Sequence, residues 1–204
     1  FALTGGSCYN LMRMSAEERA TLLTKIFSES RGYGASYVRI SIGCSDFSRS
    51  RYTLCDTKGI EHFALQSEET DYVIPVLREV MAINPKLKVI AAPWTAPRWM
   101  KVSDKNGSVP YDNYVGGHLN KAYYADYAEY FVRFVKAMRD NGITINAVTP
   151  QNEPGNGANE GGAMLMDADE EAAFVRVLAS AFHNAGLNTN IYVFDHNFDN
   201  EQYA

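Results

Sequence analysis

An α/β fold of the (β/α)8 barrel type is the fold class this sequence predicts, with about the first five β/α units present along residues 1–204. Three observations predict it. Strand-like and helix-like segments alternate throughout, which implies a parallel sheet with helices outside it. Connections from helix to strand are tight, about four to seven residues, whereas those from strand to helix reach about two dozen, so the elaboration gathers where the strands end. Finally, no GxGxxG or GxxxxGKS/T sequence follows any strand, and nucleotide-binding folds lose ground.

Taken in order, residues 1–4 read as the tail of a first strand, running into Gly5, Gly6 and Ser7 as a flexible turn. Ser15 with Glu18 forms a capping box, and Leu22, Leu23, Ile26 and Phe27 recur at helical spacing, predicting a helix over about 15–30 that Gly32 and Gly34 end. The β-branched run 36–42 is the second strand, followed by a long loop to Gln66. Ser67, Glu68 and Glu69 open a second helix with Ile74, Leu77, Val80 and Met81 on one face. Pro75 lies near its first turn or bends it, and Asn84 and Pro85 stop it.

Residues 88–92 form a short apolar strand, and the stretch 93–120 is irregular, punctuated by Gly107, Gly116 and Gly117. A third helix over 121–140 buries Tyr124, Phe131, Val135 and Met138 and stops at Asn141 and Gly142. The fourth strand, 144–148, follows at once. Asp167 with Glu170 caps a helix to about 185, Gly186 ends it, and 190–194 is the fifth strand.

Composition narrows the function. With 46% hydrophobic and 21% charged residues the chain has material for one sizeable core. A net charge of −5 with no Lys/Arg cluster argues against a nucleic-acid or anionic-membrane partner and favours a neutral or weakly charged substrate. Cys8, Cys44 and Cys55 have no metal-ligand spacing and read as buried thiols, with a Cys44–Cys55 bridge as the one pairing to consider. No apolar run approaches the ~20 residues of a membrane span. The lack of an initiator Met and of a signal peptide reads as a start inside something longer.

Chemistry concentrates at the predicted strand ends. The fourth strand runs into Thr149-Pro150-Gln151-Asn152-Glu153-Pro154, a polar turn with one carboxylate. Retaining glycosidic cleavage needs one carboxyl group to protonate the leaving oxygen and a second, roughly 5 to 5.5 Å away, to attack the anomeric carbon. Glu153 suits the acid/base role, with a neighbouring carboxylate and a partly dry pocket expected to raise its pKa. Asn152 beside it can donate to a sugar 2-hydroxyl. Trp94 and Trp99 follow the third strand, where aromatic rings serve either as a sugar platform or as a rigid lid over the core. Arg39 and Asp46 bracket the end of the second strand. Arg39 lies inside an apolar strand and needs a buried carboxylate partner, in a structural ion pair or in a working site. Asp195, His196, Asn197 and Asp199 close the fifth strand, but the remaining ligands of a calcium loop are missing, so neither metal nor cofactor is expected.

Together these motifs carry a resemblance. The run 39–47 with Ser45-Asp46-Phe47, APWTAPRW at 92–99, AVTPQNEP at 147–154 and the strand ending in Asp195 are similar to glycoside hydrolase family 30, which groups glucosylceramidases, β-glucosidases and endo-β-1,6-glucanases. The similarity runs through the whole chain in the right order. It implies a (β/α)8 barrel, usually with a small β-domain beside it, and a retaining double displacement on β-linked glucose in a glucan or a glucosyl lipid. On the matching positions Glu153 is the acid/base, Asn152 holds the 2-hydroxyl, Asp46 and Trp94 bind the outer hydroxyls, and Arg39 supports the nucleophile carboxylate. Trp99 and Asp195 join the substrate-binding set. A secreted, periplasmic or lysosomal-type location goes with the family.

The sequence departs from the family in one large respect. The family's nucleophile is a Glu at the end of the seventh strand, and no residue here matches it. The expectation is an N-terminal part of the catalytic barrel that needs the remaining half to complete the fold. Two alternatives stand beside it: a catalytically inactive half-barrel that at most binds carbohydrate, and another glycosidase family of the same barrel clan. The latter shares the Asn-Glu pair but leaves APWTAPRW unexplained.

Overall fold

The computed structural model describes residues 1–198, 200, 201 and 203; Asp199, considered above as a metal ligand, lies outside the described residues. Its centre is a parallel four-stranded sheet. Strand β1 (Tyr37–Ser41) pairs with β2 (Lys88–Ala92) from Tyr37 opposite Lys88 to Ser41 opposite Ala92. The small antiparallel ribbon of β3 (Lys101–Val102) and β4 (His118–Leu119) organises the segment after β2, which carries no strand signal in the sequence. Strand β5 (Ala147–Val148) continues the main sheet beside β2, and β6 (Asn190–Ile191) lies beside β5. The order is β1-β2-β5-β6. Ala2 adds a single parallel bridge on the outer side of β1 at Arg39, so the expected first strand shrinks to one contact. The fourth and fifth strands are also shorter than 144–148 and 190–194, although pairing resumes at Asn152 opposite Asp195.

Helices form where the capping and periodic signals fall, with one addition. Gly5-Gly6-Ser7 opens a helix, α1 (Gly5–Met12), in place of the expected flexible turn, because the Thr4 hydroxyl accepts the Ser7 N–H and caps it. In α2 (Ala16–Phe27) the Ser15 hydroxyl accepts the Glu18 N–H while the Glu18 carboxylate accepts the Ser15 N–H, the reciprocal box that the sequence predicts. Helix α3 (Ile74–Ile83) is preceded by a wide turn over Glu69–Val73, where the Ile74 N–H reaches the Glu69 carbonyl. Pro75, which has no N–H to give to a tighter turn, follows directly. Helix α4 (Tyr124–Asp140) and α5 (Ala168–Asn184) pack against each other. Their shared seam is aromatic: Tyr127 stacks on Phe174 with ring centroids 5.1 Å apart, and Phe131 meets Tyr127 edge-on at 5.1 Å.

The core sits between the sheet and these helices. Val38, Ile40, Val89, Ala91, Ala147 and Val148 from the strands are all buried, as are Leu77 and Val80 of α3. All three cysteines are buried and free, so the Cys44–Cys55 pairing does not form. Burial pushes the thiols up, Cys44 and Cys55 to about 11 and Cys8 to about 12, which keeps them neutral and inert. Among the described residues no helix is long and apolar enough to cross a membrane.

Candidate active site

The long connections that follow β1, β2 and β5 converge beyond the strands' C-terminal ends and bring most of the predicted residues together. Arg39 is the hub. Its side chain leaves β1, and one guanidinium nitrogen donates to Asn152 Oδ1 at 2.8 Å and to Asp195 Oδ2 at 2.6 Å. The guanidinium lies over the Trp94 ring, 4.7 Å from its centroid. The carboxylate partner that a charge inside an apolar strand requires is therefore Asp195, itself anchored by a 2.9 Å hydrogen bond from the Thr149 hydroxyl. Each member of this pair keeps about a quarter of its side chain exposed, so the pair is open to solvent and is not sealed in the core.

Glu153 occupies an unusual backbone position. Its φ is 44°, in the left-handed region that non-glycine residues rarely adopt. Two backbone hydrogen bonds hold the turn: Glu153 N–H to the Asp195 carbonyl at 2.9 Å, and Asn156 N–H to the Glu153 carbonyl at 2.8 Å. The carboxylate is half-buried, and its Oε2 accepts from Asn156 Nδ2 at 2.9 Å. Asn152 is oriented as well as placed. Because guanidinium only donates, the atom facing Arg39 must be the amide oxygen, which leaves the Asn152 NH2 free to donate elsewhere.

Trp94 is buried beneath Arg39, and its indole N–H has no hydrogen-bond partner among the described residues. Gln151, fully buried, fixes the segment from below by donating to the carbonyls of Trp94 at 2.7 Å and Asn152 at 2.8 Å. Asp46 is exposed, and the backbone of Gly161 lies directly on that of Asp46, so close that no larger residue fits there. Trp99 serves differently. Its indole N–H is given to the Cys55 carbonyl at 2.9 Å and its ring packs edge-on against Tyr123, which makes it a support of the loop. Thr149 and Gln151 stand in the polar turn read from the sequence without a role assigned to them, and Asn156 adjoins the AVTPQNEP motif; that proximity is the signal that finds it. Among the described residues no group of three or more His, Cys, Asp or Glu side chains is arranged to hold a metal.

The glycosyl hydrolase family 30 TIM-barrel domain matches residues 1–201. The chain belongs to that family. Endo-1,6-beta-D-glucanase BGN16.3 of Trichoderma harzianum is 33% identical to it, the match covering 97% of the chain and 42% of that enzyme. Lysosomal acid glucosylceramidase of Mus musculus is 30% identical over 75% of the chain and 30% of its own length. Among solved structures, the endo-beta1,6-glucanase BT3312 superimposes with a TM-score of 0.96 and 52% identity, covering 99% of the chain and 46% of that protein. The family 30 chain thus spans under half the length of these relatives, and its parallel sheet is part of a TIM-barrel wall, in keeping with the fold class read from the sequence.

Proposed function

We propose that this chain is the acid/base-bearing part of a retaining β-glycosidase that cleaves β-linked glucose, with β-1,6-glucan as its substrate. The observation that carries the reading is the convergence of Asn152, Asp195 and Trp94 on Arg39, with the Glu153 turn tied to Asp195 through its backbone N–H. Glu153 protonates the glycosidic oxygen as the bond to the anomeric carbon breaks. A carboxylate from a part of the barrel outside these residues attacks from the opposite side, and Glu153 then takes a proton from the water that releases the sugar. The free NH2 of Asn152 donates to the 2-hydroxyl, a contact that strengthens as positive charge builds on the ring. The Trp94 ring underlies the same sugar, and the exposed Asp46 carboxylate accepts from an outer hydroxyl. Glucan is favoured over glucosyl lipid because the endo-beta1,6-glucanase BT3312 is 52% identical to this chain, whereas the glucosylceramidases reach 30%.

The experiment is Glu153→Gln in the full-length polypeptide. Hydrolysis of β-1,6-glucan should fall by about 10²- to 10⁴-fold, while the glycosylation step of an activated aryl glucoside, which needs little acid help, should be spared. Undiminished glucan hydrolysis would remove Glu153 from the acid/base role. Profiling the unsubstituted enzyme on gentiobiose, β-1,6-glucan, xylan and glucosylceramide tests the substrate, and preference for either of the last two would overturn it.

A further inference from the structure

Among the described residues Lys101 is the one large cation folded into the interior, 1% exposed, and none of its hydrogen bonds there goes to a carboxylate. Its three ammonium protons meet three neutral oxygens: Thr95 Oγ1 at 2.9 Å, the Asn113 carbonyl at 2.9 Å and the Ala163 carbonyl at 3.2 Å. These acceptors belong to different segments. Thr95 follows Trp94 in the loop after β2, Asn113 lies further along the same excursion, and Ala163 belongs to the loop that leaves the Glu153 turn. The last of these is held to the site residue by residue. Gly161 lies on the Asp46 backbone, Gly162 with a φ of 131° lies against Trp94 Cβ and the Cys44 thiol, and Ala163 is tied to Lys101.

We infer that Lys101 is a positioning residue for the sugar-binding wall of the cleft, bracing the Trp94 segment against the 156–163 loop so that Trp94 and Asp46 keep a fixed distance from the Glu153 turn. The inference rests on the glycosidase reading above. An ammonium buried without a counter-ion is costly, and a fully satisfied three-way tie is the arrangement that tolerates it. The tie is also sensitive to charge. A neutral amine has two protons for three acceptors, and burial pushes the Lys101 pKa down to about 7. The titratable groups that face it are the Cys44 thiol, which burial holds up at about 11, and Tyr111, whose ring centroid lies 5.6 Å from Nζ. The thiol titrates far above the lysine, and Tyr111 meets the ammonium through its ring face.

The test uses the full-length polypeptide with its tryptophan indole N–H resonances assigned through Trp94→Phe and Trp99→Phe. The Trp94 resonance should move with a midpoint near pH 7 and lose that movement in Lys101→Met, while Trp99, bonded to Cys55, stays fixed as the reference. On β-1,6-glucan, Lys101→Met should raise KM at least tenfold with kcat within threefold, and the rise of KM above neutral pH in the unsubstituted enzyme should vanish. A Trp94 resonance that is flat from pH 6 to 9 in the unsubstituted protein overturns the inference, as does an unchanged KM in Lys101→Met. Should Lys101→Met not fold, Thr95→Val, which removes one acceptor and keeps the shape, decides the matter: an unaltered Trp94 titration there overturns the tie. The glycosidase reading fails separately, through undiminished activity in Glu153→Gln while the Trp94 resonance still titrates.

Discussion

Two buried ionisable residues, Glu69 and Lys101, make the stability of this chain depend on pH in opposite directions. Burial raises Glu69 to about 7, against a partial offset from the Tyr52 hydroxyl, which donates to it at 2.6 Å, and from the Gln66 N–H. Between the ordinary carboxylate value of 4.5 and 7 the folded chain holds a proton that the unfolded chain has released. The contribution of Glu69 is therefore present in full below 4.5 and is lost as pH rises to 7. For Lys101 the sign reverses. Between about 7 and the ordinary 10.5 the unfolded chain holds the extra proton, so the contribution is present above 10.5 and is lost as pH falls to 7. Urea midpoints at pH 5, 7 and 8.5, all below the range in which the buried thiols titrate, check both statements. Relative to Glu69→Gln the unsubstituted chain should lose stability from pH 5 to 7, and relative to Lys101→Met it should gain from pH 7 to 8.5. Parallel curves for either pair would contradict the corresponding assignment. The gain for Lys101 above neutral pH and the loosening of its tie are compatible, because the first compares folded with unfolded chain and the second compares two folded states.

At the scale of elements, contact between loops decides the shape of the cleft. A Cβ added to Gly161 would stand 2.1 Å from Asp46 Cα and 2.3 Å from Asp46 N, both backbone atoms that cannot swing aside, so Gly161→Ala must push the two loops apart. An overpacking cost of about 1–3 kcal/mol is expected, together with weaker substrate binding. Gly186→Ala is the contrasting control: nothing lies within 4 Å of its added Cβ, and only its φ of 66° opposes the change, at about 1–2 kcal/mol with no effect on the cleft. Thermal melts and KM measured on both variants would separate the two effects, and an unchanged KM in Gly161→Ala would contradict the contact's role. Such contacts explain which parts of the molecule are legible in the sequence. Helices α2 and α5 announce themselves because their capping boxes are local, and Arg39 announces its need for a partner because a charge in an apolar strand is locally anomalous. That Asp195 is the partner depends on pairing between strands far apart in sequence, which no local pattern encodes. Lys101 lay unnoticed in an irregular stretch because its three acceptors are two backbone carbonyls and a hydroxyl, groups that leave no compositional trace. The helix at Gly5–Met12 was hidden by its two glycines, whose low helix propensity is outweighed by the Thr4 cap and by packing against the turn over Glu69–Val73.

At the scale of the whole molecule, the sheet edge at β6 governs self-association of this segment. Among the described residues strand β6 pairs with β5 on one side only, so its outer edge offers free N–H and C=O groups to any other chain. The residues that continue it are apolar and accessible: Tyr192 is 46% exposed and Val193 57%, with Phe198 at 97% a few residues on. A closed barrel has no such edge, because its last strand pairs with its first. The 204-residue chain by itself should consequently self-associate as its concentration rises, through the β6 edge, and Val193→Lys should suppress that association, since a charge on an exposed edge disfavours strand-to-strand pairing. Sedimentation velocity across a concentration series reads both outcomes. Adding a polypeptide that supplies the remaining barrel strands should compete with self-association, and if pairing at β6 is correct it should convert the associating species into a discrete heterodimer, while Val193→Lys should weaken that heterodimer too. A chain that stays monomeric at every concentration would show that the edge is covered in solution, and association insensitive to Val193→Lys would place it on another surface.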